Sequence, residues 1–69
     1  MIKVMSIENN DLNTNDYLVS LFADTKAEVE AGGEIVGLPQ NAGIEFGSKV
    51  ITADGQLAYM QSDGNWKWQ

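Results

Sequence analysis

Cysteine, histidine and arginine are all missing from this chain, and each absence closes off a class of chemistry. Without cysteine there is neither a disulfide framework nor a thiolate zinc site. Without histidine the chain lacks the commonest general base, the commonest metal ligand and the usual proton shuttle near neutral pH. Ser20, Ser48 and Ser62 therefore have no imidazole to activate them, and nucleophilic hydrolysis is not expected. Without arginine the chain lacks the side chain best suited to bidentate contact with phosphate or guanine. Ten carboxylates stand against four lysines, and the resulting formal charge of −6 repels a phosphate backbone, so no direct nucleic-acid partner is expected.

Long apolar runs are also lacking. None approaches the roughly 20 residues that a membrane-spanning helix needs, so no membrane partner is expected. The segment Met1 to Ile7 has neither the apolar core nor the small-residue cleavage site of a signal peptide, which places the chain in the cytoplasm of the producing cell. At 69 residues the chain is a single small domain, 1–69, short enough for core size to limit stability. Oligomerisation is one way to bury more surface.

What is present is mostly strand and turn chemistry. Residues 1–8 alternate loosely, with Ile2 and Val4 opposite Lys3 and Met5, which fits a short edge strand, an ordered arm or a frayed end. Residues 9–16 are nearly all turn formers and read as a loop, so 1–16 is an arm and loop. Tyr17 to Ala23 is rich in strand formers, and Thr25-Lys-Ala-Glu28 has the spacing of a capping box. The preferred reading of 17–46 is a strand over 17–23 and a short helix over 26–31, ended by Gly32-Gly33. A single amphipathic helix over 16–31, with Leu18, Leu21, Phe22, Thr25 and Val29 on one stripe, remains the alternative.

Residues 47–69 carry the clearest signal, a three-stranded β-meander. Lys49 to Ala53, Asp54-Gly55, Gln56 to Gln61, then Asp63-Gly64 and Asn65 to Gln69 form two successive hairpins. Asp-Gly suits a two-residue type I′ turn, because both central residues then take positive φ. In that register Thr52 faces Leu57, Val50 faces Tyr59, and Tyr59 faces Trp68. One face then carries Val50, Thr52, Leu57, Tyr59, Trp66 and Trp68 as the core face. The other carries Lys49, Ile51, Ala53, Ala58, Met60 and Lys67, an apolar surface for the N-terminal half or a partner chain to cover. The fold expected is mainly β, with a small α+β arrangement as a variant: three to four antiparallel strands, a C-terminal meander and one short helix.

Four patterns carry candidate chemistry. Asp11-Leu-Asn13-Thr-Asn15 opens like a calcium-binding EF-hand loop, but the sixth position is Asp16 instead of glycine and the twelfth is Phe22 instead of glutamate, so a polar surface loop is expected. Asp24, Glu28, Glu30 and Glu34 make an acidic stretch, which reads as a solvated face because so small a domain rarely encloses a cleft that shifts one carboxyl's pKa. The glycines at 55 and 64 are turn residues and not a phosphate cradle. Trp66 and Trp68, alternating on the last strand, are either the largest contribution to the core or an exposed grip for a sugar or partner. Neither a metal site nor a cofactor is expected.

The stretch Gly47-Ser48-Lys-Val-Ile-Thr-Ala-Asp54-Gly55-Gln-Leu-Ala-Tyr59-Met-Gln-Ser-Asp63-Gly64-Asn-Trp66 resembles a pattern seen in small bacteriophage and prophage proteins. Leu38-Pro39 and Asp24-Thr-Lys-Ala-Glu-Val29 also look like features of those short reading frames. The resemblance implies a β-rich fold and a phage or prophage setting, with the virion as a second location, and it brings no catalytic residues. The expected function is a non-enzymatic structural or interaction protein, a minor virion component that works as a homo-oligomer or on another phage protein. The expected interface is Ile51, Ala58 and Met60, with Trp66 and Trp68 as further candidates. Two alternatives are an acidic DNA mimic that inhibits a host nucleic-acid-binding protein, and a carbohydrate-binding module built on Trp66 and Trp68.

Overall fold

The structure, a computed structural model, describes residues 1–11 and 13–69. Leu12, inside the expected 9–16 loop, lies outside the described residues. Among the described residues there are seven strands and one helix: β1 (Ile2–Asp11), β2 (Asp16–Ala23), α1 (Lys26–Glu30), β3 (Ile35–Val36), β4 (Gly43–Ile44), β5 (Lys49–Thr52), β6 (Leu57–Met60) and β7 (Trp66–Trp68). The mainly β class, the single short helix and the C-terminal meander are as the sequence indicates. The sheet is larger and mixed, however. Its order is β3-β1-β2-β5-β6-β7, with β4 also on β2, and β3, β4 and β5 all join it as parallel neighbours.

Residues 1–8 take the edge-strand reading, and the strand continues over Asn9–Asp11, which corrects the expected start of the loop; among the described residues, 13–15 form the turn. β1 runs antiparallel to β2 from Ile2 opposite Ala23 to Asp11 opposite Asp16. Ile2 and Val4 alternate onto the core face beside Ala23 and Leu21. Beyond them the strand is mostly polar, with Met5 and Ile7 exposed, and its register shifts twice, between Val4 and Ser6 and between Ile7 and Asn9. Such bulges break the period-2 pattern that would mark a strand in sequence, and they also roughen a free sheet edge against unwanted pairing.

The strand reading of residues 17–23 holds over β2, and α1 follows as one and a half turns. The Thr25 hydroxyl caps the helix by accepting from the Glu28 amide at 3.2 Å. The Glu28 carboxylate does not reach back as a capping box requires. It pairs with the Met1 ammonium at 2.5 Å, with Asp24 on the same group at 2.7 Å. Val29 alone is buried on the helix and covers a core made of Ile2, Val19, Leu21, Ala23, Val50 and Ala58.

Both hairpins of the meander differ from the expected turn in the same way. The Thr52 amide donates to the Gln56 carbonyl (2.9 Å) and the Gly55 amide to the Thr52 carbonyl (3.0 Å). Gln61, Gly64 and Asn65 repeat this pattern in the second hairpin, at 2.9 and 3.0 Å. Each loop therefore has three residues, Ala53-Asp54-Gly55 and Ser62-Asp63-Gly64. Only the glycines have positive φ, +88° and +85°, while Asp54 and Asp63 do not. This is the type I turn with a glycine bulge, the usual three-residue hairpin connection.

One extra residue per turn changes which side chains share a face. Val50 is opposite Ala58, Ile51 opposite Leu57, Ala58 opposite Trp68 and Met60 opposite Trp66. The expected pairs Thr52–Leu57, Val50–Tyr59 and Tyr59–Trp68 are thus corrected. β6 is reversed as a whole: Ala58 and Met60 are buried, and Tyr59 is exposed. The second extra residue restores β7, so Trp66 and Trp68 lie on the core side as first read, both half-buried.

Candidate functional site

The five candidate interface residues do not form one surface. Ile51 is 41% exposed on the outer face of the sheet. Ala58 is fully buried and Met60 is 8% exposed, both on the opposite side. The grouping of Ile51 with Ala58 and Met60 is therefore corrected, for the register reason given above. Trp66 and Trp68 line a cleft of about 320 Å³ with Val29, Glu30 and Asn65. The Lys26 ammonium stands 5.1 Å from the centre of a Trp68 ring, and the Trp68 Nε1–H is enclosed without an acceptor.

What the structure does gather is the outer face itself. Two rows of side chains cross the sheet there. The first runs Lys3, Phe22, Ile51, Leu57, and the second runs Ser6, Ser20, Lys49, Tyr59, Lys67. Lys3 reaches over Phe22, with its ammonium 5.8 Å from the ring centre. Ile51 and Tyr59 are exposed, and α1 packs through Val29 on the opposite, core side of the sheet. Between bulged β1 and strands β5 and β6 the face sinks into a groove of about 560 Å³ lined by Met5, Ser6, Lys49, Ile51, Leu57 and Tyr59. Glu8 also lines it and accepts from the Ser20 hydroxyl at 3.2 Å. The groove thus combines apolar side chains with the Ser20 and Ser6 hydroxyls, Glu8 and Lys49.

Charge is segregated about this face. Three of the four lysines, Lys3, Lys49 and Lys67, belong to its two rows. Of the ten carboxylates only Glu8 stands mid-strand. Asp11, Asp16, Asp24, Asp54 and Asp63 occupy strand ends and turns, Glu28 and Glu30 are on α1, and Glu34 and Glu45 precede or follow short strands. Among the described residues, ion pairs are limited to Asp24 and Glu28 with the Met1 ammonium.

At the start of β2 lies the opposite kind of surface. Asp11, Asp16, Glu45, Ile44 and Phe46 line a shallow hollow, and Phe46 is 65% exposed, the most exposed large apolar side chain among the described residues. Gly43 lets the Asp16 carboxylate lie against the backbone here, and a Cβ at 43 would displace it. The Asp11 side chain accepts from the Asn13 amide (2.9 Å), the Thr14 hydroxyl from the Asp16 amide (3.3 Å), and Asn15 has φ +59°. The Asp11 carboxylate and the Thr14 hydroxyl of this segment are thus engaged in turn hydrogen bonds.

Ser48 is a residue whose role the sequence did not announce. It is 1% exposed where β4 gives way to β5, and its hydroxyl accepts from the Val19 amide (3.0 Å) and donates to the Tyr17 carbonyl (3.3 Å). Its surroundings are backbone groups, with no base beside it. Among the described residues no helix is long and apolar enough to cross a membrane. No protein-family model, curated protein or solved structure matches this chain.

Proposed function

We propose that this protein is a non-enzymatic interaction protein that docks a partner on the outer face of its sheet. The observation that carries the reading is the pair of cross-sheet rows Lys3–Phe22–Ile51–Leu57 and Ser6–Ser20–Lys49–Tyr59–Lys67, left uncovered in a chain whose remaining surface is acidic. Aromatic and aliphatic side chains at the centre with charge around them match the anatomy of protein interfaces. The resemblance of residues 47–66 supplies the setting, a phage or prophage accessory component in the producing bacterium or its virion.

The two alternatives have less support. A DNA mimic needs its carboxylates in a stripe, whereas these occupy turns at both ends of the sheet and the helix. A sugar platform needs free indole faces, and Lys26 stands over Trp68.

The test is a photo-crosslinking residue placed at Ile51 or Tyr59 in the producing cell, with the same residue at Glu30 or Glu34, exposed and outside both surfaces, as control. Discrete adducts from 51 and 59, weakened by Lys49→Glu, are expected. Adducts from the control positions alone would overturn the reading.

A further inference from the structure

We infer that the partner for the outer groove is the acidic, Phe46-bearing end of a second copy of this chain. The inference rests on the docking reading above and names its occupant. Groove and knob both expose apolar side chains, and three lysines against one glutamate on the outer face oppose the carboxylates of the knob in sign. The groove is lined by Met5, Ile51, Leu57 and Tyr59 together with Lys49 and the single carboxylate Glu8, and Lys3 and Lys67 lie in the same two rows. The knob is Phe46, the most exposed large apolar side chain among the described residues, set among Asp11, Asp16 and Glu45.

Phe46 projects from the turn between β4 and β5 and does not fill the groove of its own chain, as its exposure shows. A face-to-face dimer of two outer faces would bring three lysines against three lysines with one Glu8 each. Knob into groove instead sets carboxylates against ammonium groups, so like-charge contact selects against the symmetric dimer. The match also answers two costs of the isolated chain, an exposed phenyl ring and an uncovered apolar face.

Such a contact joins two different patches, so it is heterologous. It leaves a free knob at one end and a free groove at the other, and it propagates into a ring or a filament. A single ring in a groove lies at the small end of interface sizes, so assembly is weak and rises with concentration.

The experiment is sedimentation of wild type, Phe46→Ala, the double variant Lys49→Glu/Lys67→Glu, and a 1:1 mixture of the two variants, after circular dichroism confirms that each is folded. Positions 46, 49 and 67 are exposed, so the substitutions leave the core intact. Wild type should grow past a dimer with rising concentration, and each variant alone should remain near 7.5 kDa. The mixture should recover a species of about 15 kDa, twice the chain mass, and nothing larger, because one intact groove meets one intact knob.

Wild type that stays monomeric up to about 1 mM, a Phe46→Ala protein that assembles like wild type, or a mixture that recovers no dimer would each overturn the inference. Monomeric wild type with adducts from Ile51 to a different protein would reject the second copy as occupant and keep the docking reading. Monomeric wild type with no adducts from Ile51 or Tyr59 would reject both.

Discussion

The Ser48 hydroxyl occupies the place of a missing strand partner for Val19, accepting its amide hydrogen at 3.0 Å inside the sheet. β4 and β5 run along the same edge of β2 but are separated by the turn at Glu45–Ser48. Across that gap the Val19 amide would be buried and unpaired. Ser48 supplies its acceptor and anchors its own hydroxyl on the Tyr17 carbonyl, which also accepts the Glu45 amide at 2.9 Å.

Ser48→Ala should therefore cost about 1–3 kcal/mol, the usual penalty for leaving a buried donor without a partner. Chemical denaturation measures it. Val19 amide exchange should accelerate beyond the global change in stability. Ser48→Ala with unchanged stability would mean that water or a shifted backbone replaces the hydroxyl.

The hairpin register yields a paired test on adjacent residues. Met60 is in the core at 8% exposure and Tyr59 is on the outer face at 38%. Met60→Glu puts a carboxylate among apolar neighbours and should cost about 4 kcal/mol or more, enough to unfold a domain of this size. Tyr59→Glu should leave the thermal midpoint within a few degrees of wild type. Two-residue turns would produce the reverse order, so thermal melts of the two variants read the loop length directly.

That register marks the limit of what the sequence disclosed. Two Asp-Gly pairs announced two hairpins, and Thr25 with Glu28 announced the helix start, because these are local requirements met within a few residues. Asp-Gly serves a two-residue turn and the last two positions of a three-residue turn alike, and the choice is made by how Val50, Ala58 and Trp68 pack across the sheet. β1 was only partly legible for a related reason. Its residues Ser6 to Asp11 are held by backbone pairing to β2 at a sheet edge, which polar side chains tolerate, and two bulges scramble their alternation. The outer face followed from the register, so it could not be assembled from sequence until β6 was placed. Phe46 gave no signal beyond being a lone aromatic residue before a glycine.

The first hairpin turn should respond to acid. The Asp54 carboxyl is held below its ordinary value near 3.8, first by the Thr52 hydroxyl donating to it and then by the Gln56 side-chain amide at 3.0 Å. A carboxyl whose pKa is lower in the folded chain adds stability that is complete above the ordinary value and is lost as pH falls through the folded one. The difference in thermal midpoint between wild type and Asp54→Asn should accordingly be present at pH 6 and shrink steadily below about pH 4, where wild type loses the charge that the variant never had. A difference that stays constant from pH 6 to pH 2 would show that the turn does not use the carboxylate.

Lys26 and Trp68 tie the helix to the last strand, and their contact is open to a spectroscopic test. The ammonium lies 5.1 Å from the indole ring centre, within reach of the attraction between a cation and an aromatic face. Lys26→Gln keeps an extended polar side chain and removes the charge, so it should cost about 0.5–1 kcal/mol. The Trp66→Phe background leaves Trp68 as the only tryptophan, and in it the emission of Trp68 should change on Lys26→Gln while the circular dichroism stays the same. Losing the cation also frees that ring face for a stacking ligand. If a panel of neutral sugars then quenches Trp68 in the variant but not in wild type, Lys26 is what keeps this cleft from acting as a sugar platform. Quenching of equal strength in both proteins would restore the carbohydrate reading, and no quenching in either would leave the tryptophans to the core.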